Sequence, residues 1–203
     1  MSPRDVNQDW RRPLGVDVLT AARTRVAWVF DTFPHVYLSG PSGKDSGLMM
    51  HLVCLEARRR GRKVGVLFLD LEAQYKLTID HIQACYDLYA DHIEPYWVCL
   101  PIKLRNAVSN YEPVWCAWEP ERTNDWVRPM PVGLGIISDP SFFDFFEPRM
   151  EFEEFIELFA VWYSRGRETA AFIGIRADES LNRFRTIAIW DKEMHFGKRY
   201  TTK

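Results

Sequence analysis

The stretch Val36-Tyr-Leu-Ser-Gly-Pro-Ser-Gly-Lys-Asp-Ser46, continuing as Gly47-Leu-Met-Met-His-Leu-Val-Cys-Leu-Glu56, decides the fold. Val36 to Leu38 is a short β-rich run. Ser39 to Ser46 is a loop of small residues, and the segment from Gly47 suits a helix. A strand that passes through a tight loop into a helix N-terminus gathers backbone N–H groups around an anion such as phosphate. The loop is not a Walker A motif, which needs four residues between its first Gly and Gly-Lys, then Ser or Thr. Here Pro41 and Ser42 alone separate Gly40 from Gly43, and Asp45 follows Lys44. An ordinary strand-to-helix turn closed by a helix cap is the alternative reading of the same residues.

Outward from this loop, strands and helices alternate. Apolar positions at Val16, Leu19, Ala22, Val26, Val29 and Phe30 make a helical stripe ahead of the first strand. A helix over about Ser46 to Arg60 ends at Gly61. Val64 to Leu69 is almost wholly apolar, as a parallel strand covered on both faces should be. A helix over Tyr75 to Tyr89 and a strand over Tyr96 to Leu100 follow. Pro101 to Arg149 breaks the pattern, with prolines at 101, 113, 120, 129, 131, 140 and 148 and tryptophans at 115, 118 and 126. So long an irregular stretch reads as a functional loop or lid. A helix over Glu151 to Ser164 and a strand over Ala171 to Ile175 close the series. The expectation is one α/β domain over residues 1–203, doubly wound, with a mostly parallel sheet, helices on both faces and an irregular insertion at 101–149.

The spacing Gly43-Lys-Asp-Ser46 resembles the pyrophosphate loop of the N-type ATP pyrophosphatases, Ser-Gly-Gly-Lys-Asp-Ser, which phosphoadenosine phosphosulfate (PAPS) reductases share. Pro41 and Ser42 stand where that family has Ser and Gly. Proline removes an N–H, and Ser reaches left-handed conformations less freely than Gly. A second segment, Ala171-Phe-Ile-Gly-Ile-Arg-Ala-Asp-Glu-Ser-Leu-Asn-Arg183, is similar to the Gly-x-Arg-x-x-x-Ser-x-x-Arg element of PAPS reductases. A third block runs from Tyr96 to Trp115 and on through Trp126-Val-Arg-Pro-Met-Pro131. The three motifs, in order from about Val16 onward, resemble the branch that includes the immunoglobulin-binding regulator A proteins of phages, prophages and mobile elements.

The resemblance implies an adenine nucleotide alpha hydrolase-like fold and a role in sulfur metabolism. Its ligand is ATP or a PAPS-like nucleotide, with phosphates on Ser39, Gly40, Ser42, Gly43, Lys44, Asp45 and Ser46. Arg176, Ser180 and Arg183 would hold the substrate's anionic end, and Lys44, Asp45 and Arg176 would serve any catalysis. The Leu69-Asp-Leu-Glu-Ala-Gln-Tyr75 turn resembles the family's adenosine-side loop, where Asp70 or Glu72 would accept from a ribose hydroxyl; both also suit a helix cap. Asp45 beside phosphates either binds Mg²⁺ or caps the helix. Relatives of this branch continue past Tyr200-Thr-Thr-Lys203, so the sequence reads as the N-terminal part of a longer member or as a short form. The cysteine with which PAPS reductases attack sulfur has no counterpart, and the reductase reaction is not carried over.

Composition narrows the partners. Lys plus Arg is 26 against 28 Asp plus Glu, a net charge of −2, which argues against broad nucleic-acid binding by this chain alone. The dense run Arg58-Arg-Arg-Gly-Arg-Lys63 follows a helix and suits its carbonyl end. Met1 to Arg12 is polar, no apolar run is long enough for a bilayer, and the expected location is cytoplasmic with no membrane contact. Cys54, Cys85, Cys99 and Cys116 show no metal spacing; the first three read as buried thiols and Cys116 as a loop thiol to be tested for reactivity. His51 reads as a partly buried, satisfied histidine. Two further function classes stay open. One is a noncatalytic regulatory or assembly module using the 101–149 loop as a partner surface. The other is a subunit of a nucleic-acid sulfur-modification system.

Overall fold

The computed structural model describes residues 15–106, 109, 111–176, 179–181, 183 and 184, and the backbone of 194–195 and 198–199. Its core is a five-stranded sheet in which every pairing is parallel. The strands are β1 (His35–Ser39), β2 (Val64–Leu69), β3 (Ile93–Val98), β6 (Ile136–Ile137) and β7 (Thr169–Ile173), in the order β6-β3-β2-β1-β7. A small antiparallel hairpin, β4 (Lys103–Arg105) with β5 (Val114–Cys116), stands apart from the sheet. A second two-stranded unit pairs β8 (Met194–His195) with β9 (Lys198–Arg199). The helices are α1 (Val18–Thr32), α2 (Lys44–Arg59), α3 (Lys76–Leu88) and α4 (Phe152–Ser164). None of them is long and apolar enough to cross a membrane.

Alternation along the strands builds two cores. Val36 and Leu38 of β1, Val64, Val66 and Phe68 of β2, and Ile93 and Trp97 of β3 face α1, α2 and α3. Tyr37, Leu67, Leu69, Tyr96 and Val98 face the other way, onto Phe155, Phe159 and Tyr163 of α4 and onto Phe143 and Phe146. All six residues of β2 are buried, as its central place in the order requires. On α4 the aromatic positions recur at i, i+4 and i+8, and Tyr163 reaches the strand backbones. Its hydroxyl donates to the Val36 carbonyl (3.0 Å) and accepts from the Gly65 amide (3.1 Å). A Cβ at Gly65 would lie 2.7 Å from the Tyr163 ring, so only glycine admits that ring.

Several boundaries differ from the sequence expectation; β7 runs Thr169–Ile173, two residues ahead of the expected Ala171 to Ile175. β3 starts at Ile93, three residues before the expected Tyr96, because Pro95 reads as a breaker. Pro95 is tolerated because the amides of Trp97 and Cys99 point to the β6 side, accepted by Gly135 and Ile137 (both 2.8 Å). Two residues earlier the missing Pro95 N–H faces that same side, before β6 has begun. The stretch 101–149 is not wholly irregular: it holds β4, β5, the short edge strand β6 and two 3₁₀ turns.

Within the basic run, Arg58 and Arg59 stand in the last turn of α2 as expected, while Arg60 and Arg62 reach across to α1. Arg62 donates to the carbonyls of Phe30 (2.7 Å), Phe33 (3.1 Å) and Pro34 (2.7 Å), closing the C-terminal end of α1 rather than that of α2. Arg60 pairs with Glu56 and Asp31, tying α2 to α1. α1 itself starts on Asp17, whose carboxylate accepts from the Thr20 amide (2.9 Å).

Candidate functional site

Ligands of open parallel sheets bind beyond the carboxyl ends of the strands. Three segments leave that edge here: the loop after β1, the turn after β2 and the segment after β7.

The first makes the turn into α2. Gly40 has φ +68°, and its amide still donates to Leu67 (3.0 Å), so the chain leaves the ladder at a residue free to take that angle. Pro41 is buried beneath the loop, whereas Ser42, Gly43 and Lys44 are exposed and Ser39 half-buried. Gly43 is the N-cap of α2. Its amide donates to Ser46 Oγ (3.0 Å) while that hydroxyl donates back to the Gly43 carbonyl (3.2 Å). Ser46 is 6% exposed, so its hydroxyl maintains the turn instead of facing outward. The Lys44 and Asp45 amides, in the first turn, have no i−4 carbonyl to meet, and the helix dipole adds positive potential there.

The third segment is brought to the same turn by Gly174. A Cβ on Gly174 would lie 2.6 Å from Ser46 Cβ and 2.8 Å from Ser46 Cα. With hydrogen in that place, the exit of β7 packs directly on the start of α2. Two residues on, Arg176 Nε lies 3.4 Å from Asp45 Oδ2, an ion pair between segments 131 residues apart in sequence. The Arg176 amide donates to Glu179 (3.0 Å), whose carboxylate also pairs with Arg183. Together the Arg176 amide, first, and the Arg183 guanidinium hold the Glu179 carboxyl below its ordinary range. Ser180 Oγ accepts from the Arg183 amide (3.2 Å), capping a short turn. Lys44, Asp45 and Arg176 are therefore brought together at one edge, while Ser180 and Arg183 are engaged within their own turn. Ala177 and Asp178 lie outside the described residues.

The turn after β2 corrects an expectation. Asp70 and Glu72, expected at a ribose hydroxyl or a helix cap, are 1% and 2% exposed. Asp70 accepts from Trp97 Nε1 (2.8 Å) and the Glu72 amide (2.9 Å), and pairs with Arg128. One oxygen of Glu72 takes the Trp118 amide and the other the Val127 amide (2.7 Å each). Trp118 Nε1 donates to the Asp70 carbonyl (2.8 Å), Arg128 Nε to the Glu72 carbonyl (2.8 Å), and the Arg128 guanidinium lies 4.8 Å from the Trp118 ring centre. Glu72 adopts φ +63° to serve this clamp. Both carboxylates thus hold segment 118–128 on the sheet edge, buried beneath it and turned away from solvent. Trp118 and Trp126 pack edge to face at 5.1 Å over this clamp.

Cys116 is likewise corrected. It is a buried residue of β5, and burial pushes its thiol up to about 11, so it is not poised for reaction. Among the described residues no three His, Cys, Asp or Glu side chains converge to hold a metal ion.

Among the described residues, two clefts bear on the search for a site. One, of about 210 Å³, lies at the amino ends of the strands near His35, Glu94 and Tyr163, and its Arg62 is spent on the α1 carbonyls. The other, of about 490 Å³, adjoins the loop. Ser42, Gly43 and Lys44 line it on one side, Gly47, Leu48 and His51 of α2 form its floor, and Leu77, Thr78 and His81 of α3 face them. His51 has the partner expected of it, with Nδ1 2.7 Å from the Tyr89 hydroxyl. Gly174 opens the Gly-x-Arg element noted in the sequence, although its packing on Ser46 is not legible there; the roles of Arg128 and His81 do not stand out, because Asp70 and Gly47 lie far from them in sequence.

No family model matches the chain, and no solved structure matches it. The chain is 48% identical over 185 residues to the uncharacterized protein YbdN of Escherichia coli (strain K12). The aligned region takes in 91% of this chain and 45% of that protein, so the chain spans less than half the length of this relative.

Proposed function

We propose that this domain is a nucleotide-binding unit of the PAPS reductase and ATP pyrophosphatase type, with an adenine nucleotide alpha hydrolase-like fold. Its ligand is ATP or an adenylyl-sulfate nucleotide. The observation that carries the reading is the convergence of Lys44, the first-turn amides of α2 and Arg176 at the carboxyl edge of a parallel sheet, made possible by Gly174 packing on Ser46. The Lys44 and Asp45 amides and the Lys44 ammonium meet the phosphates. Arg176, whose guanidinium already faces a carboxylate, exchanges Asp45 for a phosphate or sulfate oxygen. One carboxylate alone suits a Mg²⁺ that arrives on the nucleotide, with Asp45 as its protein oxygen. Such an ion supplies charge neutralisation.

The chemistry this arrangement supports is displacement at the α-phosphorus. With ATP, an acceptor hydroxyl oxygen bonds to that phosphorus and its proton passes to water, the bond to the bridging oxygen breaks, and pyrophosphate leaves with the electron pair. Lys44 and the α2 amides stabilise the charge that grows on the leaving group. Calorimetric titration with ATP and with PAPS tests the reading. Binding of either, weakened in Lys44→Ala with the fold intact, is expected; no heat with either nucleotide in the wild type rejects it.

A second reading, a noncatalytic assembly module, draws support from the side chains that segment 101–149 leaves in water. Tyr111 and Val132 are almost fully exposed, and Val127 is exposed beside them in sequence. Stable co-purification of a partner without nucleotide turnover is its expected outcome.

A further inference from the structure

A nucleotide has a polyanionic end and a flat, uncharged end. The loop and first turn of α2 offer cations and N–H donors only to the first. The acidic pair after β2 is buried and committed to the Trp97, Trp118, Val127 and Arg128 donors, so it offers no exposed carboxylate to a nucleoside. The 490 Å³ cleft begins at Lys44 and runs between α2 and α3.

Its two walls repeat one arrangement. On α2 Gly47, Leu48 and His51 stand at i, i+1 and i+4, and on α3 Leu77, Thr78 and His81 do the same, so each triplet lies along one helix face. Leu48 and Leu77 are 59% and 81% exposed, an unusual expense of apolar surface at the mouth of a polar loop. Gly47 admits the His81 imidazole to the cleft: a Cβ there would lie 2.9 Å from His81 Nε2, so any larger residue displaces that ring. His51 is anchored through Nδ1 by the Tyr89 hydroxyl, which fixes the ring and leaves its Nε2 edge for another partner. No Asp or Glu lines the cleft. Apolar walls, two imidazole edges and a lysine at one end complement a heteroaromatic ring joined to an anion.

We infer that the α2–α3 cleft is the base pocket of the site, with Leu48 and Leu77 covering the faces of a purine and His51 and His81 reading its polar edge. This rests on the phosphate assignment proposed above. The ligand class is a purine nucleotide, distinguished from a bare polyphosphate by the base.

Titration with two probes separates the two assignments. ATP carries the base; inorganic tripolyphosphate does not. His81→Ala and Leu77→Ala should weaken ATP tenfold or more and leave tripolyphosphate unchanged, while Lys44→Ala weakens both. Gly47→Ala should behave like His81→Ala, because it pushes the imidazole aside. His81→Gln, which keeps a polar edge, should recover part of the loss, and circular dichroism checks that each variant is folded. If wild type binds both probes and the cleft variants change neither, or change both equally, the base pocket is overturned and the phosphate site stands. If wild type binds neither, both assignments fall.

Discussion

Replacing Glu72 by Gln probes the buried clamp with almost no change of shape. Each carboxylate oxygen of Glu72 accepts one backbone N–H at 2.7 Å, from Trp118 and from Val127, and the residue is 2% exposed. A glutamine offers one oxygen and one NH₂. Whichever way it turns, the NH₂ meets a backbone N–H, and one buried donor loses its acceptor. Leaving that donor unsatisfied costs about 1–3 kcal/mol, and the remaining bond loses the assistance of the negative charge. The sum is roughly 2–4 kcal/mol, several times what a surface substitution costs. For a chain of 203 residues, where about 1 kcal/mol moves Tm by about 2–4 °C, the expected fall is roughly 4–16 °C. Thermal unfolding followed by far-ultraviolet circular dichroism gives the midpoint. Amide hydrogen exchange supplies an independent reading, because protection should drop at Trp118 and Val127 before it drops in β2. A Glu72→Gln protein melting within about 1 °C of wild type would show that Glu72 does not hold segment 118–128.

Other consequences are equally open to measurement. Gly174→Ala forces a methyl against the Ser46 backbone, which no rotamer change relieves; overpacking of this kind costs about 1–3 kcal/mol. A lower melting point together with weaker ATP binding is expected, and an unchanged protein by both measures would separate β7 from the site. Glu56 is held at about 2 by Arg59 first and by Arg60, well under its ordinary 4.5. A depressed carboxylate stabilises the fold above the unfolded pKa, and the benefit is lost as pH falls through about 2. Glu56→Gln should therefore melt lower than wild type at neutral pH, with the gap closing between about pH 4.5 and 2; a constant gap contradicts the ion pairing. All four cysteines are buried, and burial raises the Cys116 thiol to about 11. Native protein at pH near 7 should resist alkylation and react fully once unfolded, whereas rapid labelling of Cys116 in the native state would refute its placement.

Much of the architecture is legible in local pattern. The unbroken apolar run Val64–Leu69 predicts a central parallel strand, and β2 sits between β1 and β3 with every residue buried. The turn from β1 into α2 is readable because small residues and a following apolar stripe mark strand, loop and helix in order. Less visible are features fixed by partners far along the chain. Pro95 hides the start of β3, since nothing local reveals that β6 has yet to begin on that side. The two residues of β6 are too few to carry a period. Asp70 and Glu72 look like helix-start acids in isolation; their donors at Trp97, Trp118, Val127 and Arg128 lie 27 to 58 residues away. Ser46 carries a motif position in the sequence, yet its hydroxyl is taken by Gly43. At the site, local spacing reveals which residues leave the sheet edge, and tertiary contacts decide which of them face outward.

The amides of the α2 first turn can be observed directly in a ¹⁵N-labelled protein titrated with ATP and Mg²⁺. The account predicts saturable shifts concentrated at Ser42, Gly43, Lys44 and Asp45, with a companion shift at Arg176. Lys44→Ala should weaken the titration by roughly ten- to a hundredfold, as the loss of a charge-assisted hydrogen bond worth about 1.5–3 kcal/mol implies. Shifts that are absent at millimolar ATP, or that gather away from the β1–α2 loop, would contradict it.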